Sequence, residues 1–420
     1  MKKSNYKRLG EYIQFVNERN TNLEVKVLLG VSIRKIFIPS IANIVGTDMS
    51  TYKIIKKNQF AYGPVTSRNG DKISIALLEE NDEAIVSQAY TVFESIDYNE
   101  LDPEYLMMWF RRPEFDRYTR FKSHGSARET FEWDELCEVE LPIPSIEKQH
   151  EIVSEYNTIV NHIVLNETLN QKLEETAQAI YKHWFVDFEF PNAEGKPYRS
   201  SGGKMVFNED LDTELPEWWN VSCLNDLSIL ITKGTTPQKM YSNFEIGKIP
   251  YIKAQSIGFN HFINPLKTNF IDIKDHMTDL KRSIILENDL LFTITGTLGE
   301  FAIVDKEIKE ANTNQNVAII RLKENKIHSR FIMFLFMGNW HNKFLNENTQ
   351  EAVQANLNLT MIGNMKIILP PKQLLENFMK KIDVIIDQKY NLHCQNNRLL
   401  LLEQLILSKM SKIETEKAQA

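Results

Sequence analysis

Cysteine is scarce in this chain. The three thiols among 420 residues, Cys137, Cys223 and Cys394, are widely spaced and odd in number. That fits neither a disulfide framework nor the paired spacing of a zinc site, and it points to a reducing compartment. Long apolar runs are missing too: the longest, Phe331 to Met337, falls far short of the roughly 18 residues a membrane helix needs. The opening MKKSNYKRLGEY carries no apolar signal region, so a cytoplasmic protein is expected. No low-complexity tract interrupts the chain, and 42% apolar with 25% charged residues is ordinary globular composition. The length allows two or three domains with cores of their own. A net charge of -7 argues against a wholly basic nucleic-acid coat, although an average hides where charges lie.

Catalytic signatures are also lacking. There is no Walker-type GxxxxGK[ST], no HExxH, no GxSxG and no GxGxxG. Ser201-Gly202-Gly203-Lys204 lacks the upstream glycine of a phosphate cradle. Glu194-Gly195-Lys196, with Asp187 ahead of it, superficially resembles a nuclease arm but sits in a Pro, Gly and Ser-rich stretch and reads as a turn. No [DNS]PP[YF] tetrapeptide of an amino-methyltransferase occurs; Asn264-Pro265-Leu266 falls short. The nine histidines are dispersed, and His124, beside a basic cluster, has no evident carboxylate partner. A catalytic constellation is therefore largely missing from the sequence.

What is present is a duplication. Ile146 to Trp184 and Lys372 to Met410 are long amphipathic helix patterns 226 residues apart, each following a Pro-punctuated strand ending, LPIP or LPP. The same shift carries Tyr105–Phe110 onto Phe331–Phe336, and Phe131, Trp133, Leu136, Leu141 and Pro144 onto Leu357, Leu359, Ile362, Ile367 and Pro370. Further back the register drifts: Tyr-Lys-Ile-Ile at 52–55 answers Arg-Ser-Ile-Ile at 282–285, and Ser87-Gln88-Ala89 answers Asn314-Gln315-Asn316. Such long-period self-similarity means two copies of one folding unit.

Alternating steps of four and three from Ile152 give Tyr156, Ile159, Ile163, Asn166, Asn170, Leu173, Ala177, Ile180 and Trp184. From Phe378 they give Ile382, Ile385, Lys389, Leu392, Asn396, Leu399, Glu403, Ile406 and Met410. Each is a heptad seam without internal Gly or Pro, and about 38 residues make a helix roughly 57 Å long. Two such seams in one chain most simply pack on each other, antiparallel, although each helix could instead pack only on its own head. In the antiparallel arrangement Asn166 lies near Asn396, where an amide pair fixes register.

The expected architecture is α+β: a head over 1–145, a helix over 146–185, a linker or extended crossing segment over 186–220, a second head over 221–366, a second helix over 367–411 and a short tail over 412–420. The first head reads as the strands VKVLLGVSI, YKIIKKNQFAYG, KISIALL and QAYTVFESI, then the helical EYLMMWFRRPEFDRY; the second repeats that order, ending in RFIMFLFMGNWHNKF. The segment Arg111–Arg128 interleaves basic residues with aromatics. It is either a solvated face or a phosphate contact through Arg120, Lys122 and Arg128, with His124 beside them. In the second head Lys233 and Lys253 flank polar turns. Thr235, Thr236 and Gln238 follow one strand, Thr295 and Thr297 another, and Asn314, Gln315 and Asn316 a third; Arg68, Asn69 and Gln88 fall at matching places in the first head. Any one of these can be an ordinary turn, yet Thr, Asn and Gln on close-approaching turns also supply the donors and acceptors that read base edges.

The two-fold arrangement of a variable head ending in LPIPSIEKQHEIV, a long helix, then AQAIYKHWFVDFEFP and a linker ending LPEWW resembles the specificity subunit of type I restriction-modification systems. The ITKGTTP and TGTLG turns and the Thr313–Asn316 run agree with it. The resemblance covers essentially the whole chain. It implies two target recognition domains in pseudo-two-fold repeat, each reading half of a split target in double-stranded DNA, with the helices as an antiparallel coiled coil that sets the unread spacer. It further implies two modification (methyltransferase) subunits supplying S-adenosylmethionine chemistry, and restriction subunits adding ATP- and Mg-dependent translocation and cleavage, with this chain itself non-catalytic and holding no cofactor or metal, in agreement with the missing motifs. The chain departs from an even repeat at Lys389 and Glu403, which stand where the first helix has Ile163 and Ala177. Competing readings are the recognition part of a catalytic restriction enzyme and a protein-binding coiled-coil scaffold.

Overall fold

A computed structural model describes residues 6–40, 46–67, 69–70, 72–124, 129–209, 211–258, 260–349 and 356–412. They form two compact units, one drawn from the chain up to Val164 and from Arg398 onward, the other from Leu165–Asn397. Each unit is built on a four-stranded antiparallel sheet. In the first the order is Ile13–Val16, Thr91–Ser95, Phe60–Tyr62, Ile75–Leu77. In the second it is Ser228–Lys233, Val317–Leu322, Leu290–Thr293, Phe301–Ile303. Strand for strand these occupy the same place in the sequence repeat, so the duplication holds at the level of topology.

Successive strand residues face opposite sides of a sheet, and here both sides are covered. Phe60, Tyr62 and Phe93 pack toward the Pro103–Arg111 helix, while Ala61 and Val92 pack with Leu29, Ile55 and Val86. In the second unit Leu290, Phe292 and Ile320 join one core, and Leu291, Ala302 and Ile319 another. Two-sided burial explains why these strands read as nearly unbroken apolar runs.

The helical stretch after each sheet divides in two. Asp102 caps Pro103–Arg111 by accepting from the Tyr105 N–H at 2.9 Å. Pro113 then forces Arg112 out of the helical region, to ψ 137°, before Pro113–Lys122 begins. Gly338 parts Ser329–Met337 from Asn339–Thr349 at the matching point.

Both long helices form, over Ile146–Phe185 and Lys372–Lys409, and none of the seam positions is exposed. In the first unit Ile152, Val153 and Tyr156 share a core with Leu407 and Met410, and the Tyr156 hydroxyl donates to Glu403 at 2.8 Å. In the second unit the helices run antiparallel: Asn166 donates to Asn396 at 2.8 Å, Lys389 pairs with Glu174, and Trp184 meets Phe378 with ring centroids 5.9 Å apart. The expected Asn166–Asn396 layer is therefore present, and both charged departures from the seam have partners across it.

The 186–220 stretch corrects the linker expectation. It folds back as a hairpin, Met205–Asn208 with Thr213–Pro216, and buries Phe188, Phe190, Leu211, Leu215 and Trp219 in the core of the second unit. Phe190 stacks on Tyr198 and Trp219, with centroids 4.8 and 5.5 Å away, so aromatic burial outweighs the turn-forming composition. Glu194–Lys196 is a turn, with Gly195 at φ 76°. Among the described residues no helix is long and apolar enough to cross a membrane.

Candidate nucleic-acid interface

The second unit gathers five of the polar positions singled out above, Thr235, Thr236, Asn314, Gln315 and Asn316, with one that sequence reasoning passed over, Arg282. Strand Ser228–Lys233 ends at Gly234, where a Cβ would lie 1.9 Å from the Thr313 carbonyl oxygen. Only glycine admits that approach. It brings the 235–236 turn against the 313–316 turn, with the Thr235 N–H donating to Thr313 O at 3.0 Å. Behind them Tyr251 donates its hydroxyl to Thr235 O at 3.0 Å, and burial pushes that phenol up to about 12, so it remains a neutral donor.

Two long polar side chains stand on this base, each held by one threonine hydroxyl. Arg282 donates from Nη2 to Thr235 Oγ1 at 2.7 Å, and Thr236 Oγ1 donates to Gln315 Oε1 at 2.5 Å. Arg282, Thr236 and Gln315 are exposed. Asn314 Oδ1 accepts from the Asn316 N–H at 3.2 Å, which shapes the turn. Asn316 O accepts from Ile294 N at 2.8 Å and so ties in the next loop, where Thr295 is half-buried and Thr297 exposed. Lys253 is half-buried just beyond strand Ile249–Ile252, which pairs in parallel with Asn312–Thr313; Lys233 and Gln238 are exposed. The cluster combines guanidinium, amide and hydroxyl groups with no carboxylate in ion-pair reach of Arg282 among the described residues. That is a donor-rich surface suited to base edges and phosphates.

The turn is anchored from below by a buried histidine. His276 places Nδ1 2.5 Å from Asn312 Oδ1, and Asn312 donates Nδ2 to the carbonyls of Leu280 and Ser283 at 3.0 and 3.1 Å. With both amide hydrogens engaged, Oδ1 is left as the acceptor, so Nδ1 carries a proton.

The first unit presents different chemistry. Gln88 is exposed on the turn that answers Gln315, closed by Tyr90 N to Ser87 O at 3.0 Å just as Val317 N closes on Asn314 O at 3.3 Å. Asn69 donates from Nδ2 to Val65 O at 3.3 Å, and Arg120 reaches Gly70 O at 2.6 Å, bracing that loop. Lys122 and His124 both face Glu135, at 3.3 and 3.7 Å. Lys122 is thus answered internally by an ion pair of the weak, solvent-screened kind, and His124, expected to lack a carboxylate partner, faces the same Glu135. Arg68 and Arg128 lie outside the described residues. Among the described residues no group of three or more His, Cys, Asp or Glu is placed to hold a metal ion.

A family model for the type I restriction modification DNA specificity domain matches residues 6–175 and again 216–412. The type I restriction enzyme MjaIX specificity subunit of Methanocaldococcus jannaschii is 26% identical over 318 residues, spanning 73% of this chain and 68% of that protein. The type I restriction enzyme HindI specificity subunit of Haemophilus influenzae is 23% identical over 419 residues, spanning 88% and 89%. Among solved structures, the type I restriction-modification system S subunit from M. genitalium aligns with a TM-score of 0.56 at 15% identity, over 98% of this chain and 96% of that one. At that identity the likeness concerns the fold.

Proposed function

The chain belongs to the type I restriction-modification DNA specificity family, and from that premise we propose that it is the sequence-reading, non-catalytic subunit of such a system. Each sheet-based head reads one half of a bipartite target in double-stranded DNA. The paired long helices set the unread spacer and carry two modification subunits, which supply the S-adenosylmethionine site. Restriction subunits, where they join, bring ATP and Mg. The observation that carries the reading is one sheet order occurring twice with matching turns that are not identically furnished: a glutamine stands on both, Gln315 and Gln88, whereas Arg282 of one head is answered by Tyr52 in the other.

Two heads on a stiff connection lose less entropy on engaging two half-sites than heads on a flexible tether, and they reject wrongly spaced sites. Each mismatched pair costs about 1 to 3 kcal/mol, so a few read positions in each half accumulate useful discrimination. The net charge of -7 is tolerable if the modification subunits also clasp DNA, and the isolated chain should bind DNA weakly. Co-expression with the modification subunits, followed by mapping of methylated adenines, tests the reading. A split motif with a fixed unread spacer is expected; a continuous motif, or no co-purification, overturns it.

A further inference from the structure

We propose that Arg282 is a specificity-determining residue of the second head, reading a guanine in the major groove, and that Thr235 is its positioning residue. The inference rests on the function proposed above and deepens it.

Arginine is a flexible side chain, and an exposed one ordinarily samples many rotamers. Here one arm is fixed by the Thr235 hydroxyl at 2.7 Å. Thr235 is itself fixed through its backbone, by the N–H bond to Thr313 O and by the Tyr251 hydroxyl on its carbonyl. Close packing at Gly234 removes remaining freedom from the turn. Holding one Nη of an exposed side chain leaves the remaining donors of the fork for a ligand, and a planar fork matches the O6 and N7 acceptors of guanine.

A phosphate contact needs only a positive charge, whereas this guanidinium is oriented, as is the amide held by the next threonine. Thr236 engages Gln315 Oε1 and leaves both Nε2 hydrogens available. Two exposed side chains, each held by one of two consecutive threonines, form a base-edge reader rather than a charge patch. The repeat supplies an internal contrast: Tyr52 stands in the first head where Arg282 stands in the second, so the guanine contact is confined to one half-site.

The test uses the full chain assembled with its modification subunits, offered a duplex library randomised in both half-sites, with methylated sequences read out. The wild type should require a guanine in the half-site assigned to residues 221–366. Arg282→Ala should make that position degenerate, losing about 5- to 150-fold discrimination, while every other position keeps its preference. Arg282→Lys, which keeps charge and solubility, should relax the same position because a compact ammonium cannot form the fork. Thr235→Val should relax it less, at that position only, which a general loss of stability cannot do. An unchanged motif, a change in the other half-site, or a uniform drop in methylation with base preferences intact, the signature of a phosphate contact, overturns the proposal. A wild-type motif that is not split at all refutes the proposed function instead.

Discussion

Removing Glu174 should unfold the second unit far more readily than removing the lysine it faces. Lys389 stands in the helix seam with its side chain 5% exposed, against Glu174 at 21%. Glu174→Ala leaves a nearly dry ammonium without its carboxylate. Breaking a buried pair from one side costs about 3 to 5 kcal/mol, and because a fifth of the glutamate already meets water the lower end, about 3 kcal/mol, applies. Lys389→Met keeps the volume and leaves Glu174 partly solvated, with His261 Nε2 4.0 Å away, so about 1 to 2 kcal/mol is expected. The double variant Glu174→Leu with Lys389→Met should return close to wild type, since an apolar pair of similar volume is often as stable as an ion pair. Urea unfolding of the full chain, with hydrogen exchange on the Lys372–Lys409 helix to localise the loss, measures all three. Refutation would be a Glu174→Ala loss below about 0.5 kcal/mol, or a double variant less stable than either single one.

Two further outcomes follow from the second unit. Gly234→Ala places a Cβ 1.9 Å from Thr313 O and 2.5 Å from Asn314 O, so the backbone must shift. About 1 to 3 kcal/mol of stability should be lost by thermal melting, with weakened recognition of one half-site only. His393 is buried and held below the ordinary histidine value of 6.5 by that burial; Nδ1 accepts from Asn260 at 2.7 Å and Nε2 faces Ile263 O at 3.2 Å. A depressed base must be neutral to fold well, so its contribution is complete above pH 6.5 and is lost as pH falls through its folded-state value. Melting curves of wild type and His393→Gln should therefore converge on acidification, and a constant gap between them would contradict the assignment.

The long helices were legible because a heptad seam repeats over many residues and few other structures satisfy it. Even its apparent faults carry information: Lys389 and Glu403 interrupt the apolar pattern, and Glu174 and Tyr156 partner them. Strand Ile13–Val16 was missed because four residues with a single fully buried member leave little periodic signal. The helical run 104–118 was legible as helix but not as two, although Pro113 marks the break. Pro, Gly and Ser in 186–220 suggested a tether, whereas Phe188, Phe190 and Trp219 govern its packing. Among candidate contacts, the Thr235, Thr236 and Gln315 turns could be found from composition. Arg282 could not: it lies 47 residues from Thr235 along the chain, and only the close approach at Gly234 and the strand pairing beyond it make that turn a platform.

The central claim is that the two heads read separately. Its most direct test replaces residues 221–366 with the corresponding head of another family member and maps methylated adenines in the assembled complex. The account predicts a new sequence in one half-site, with the other half-site and the spacer length unchanged. An unaltered motif, or a change in both halves, would contradict it.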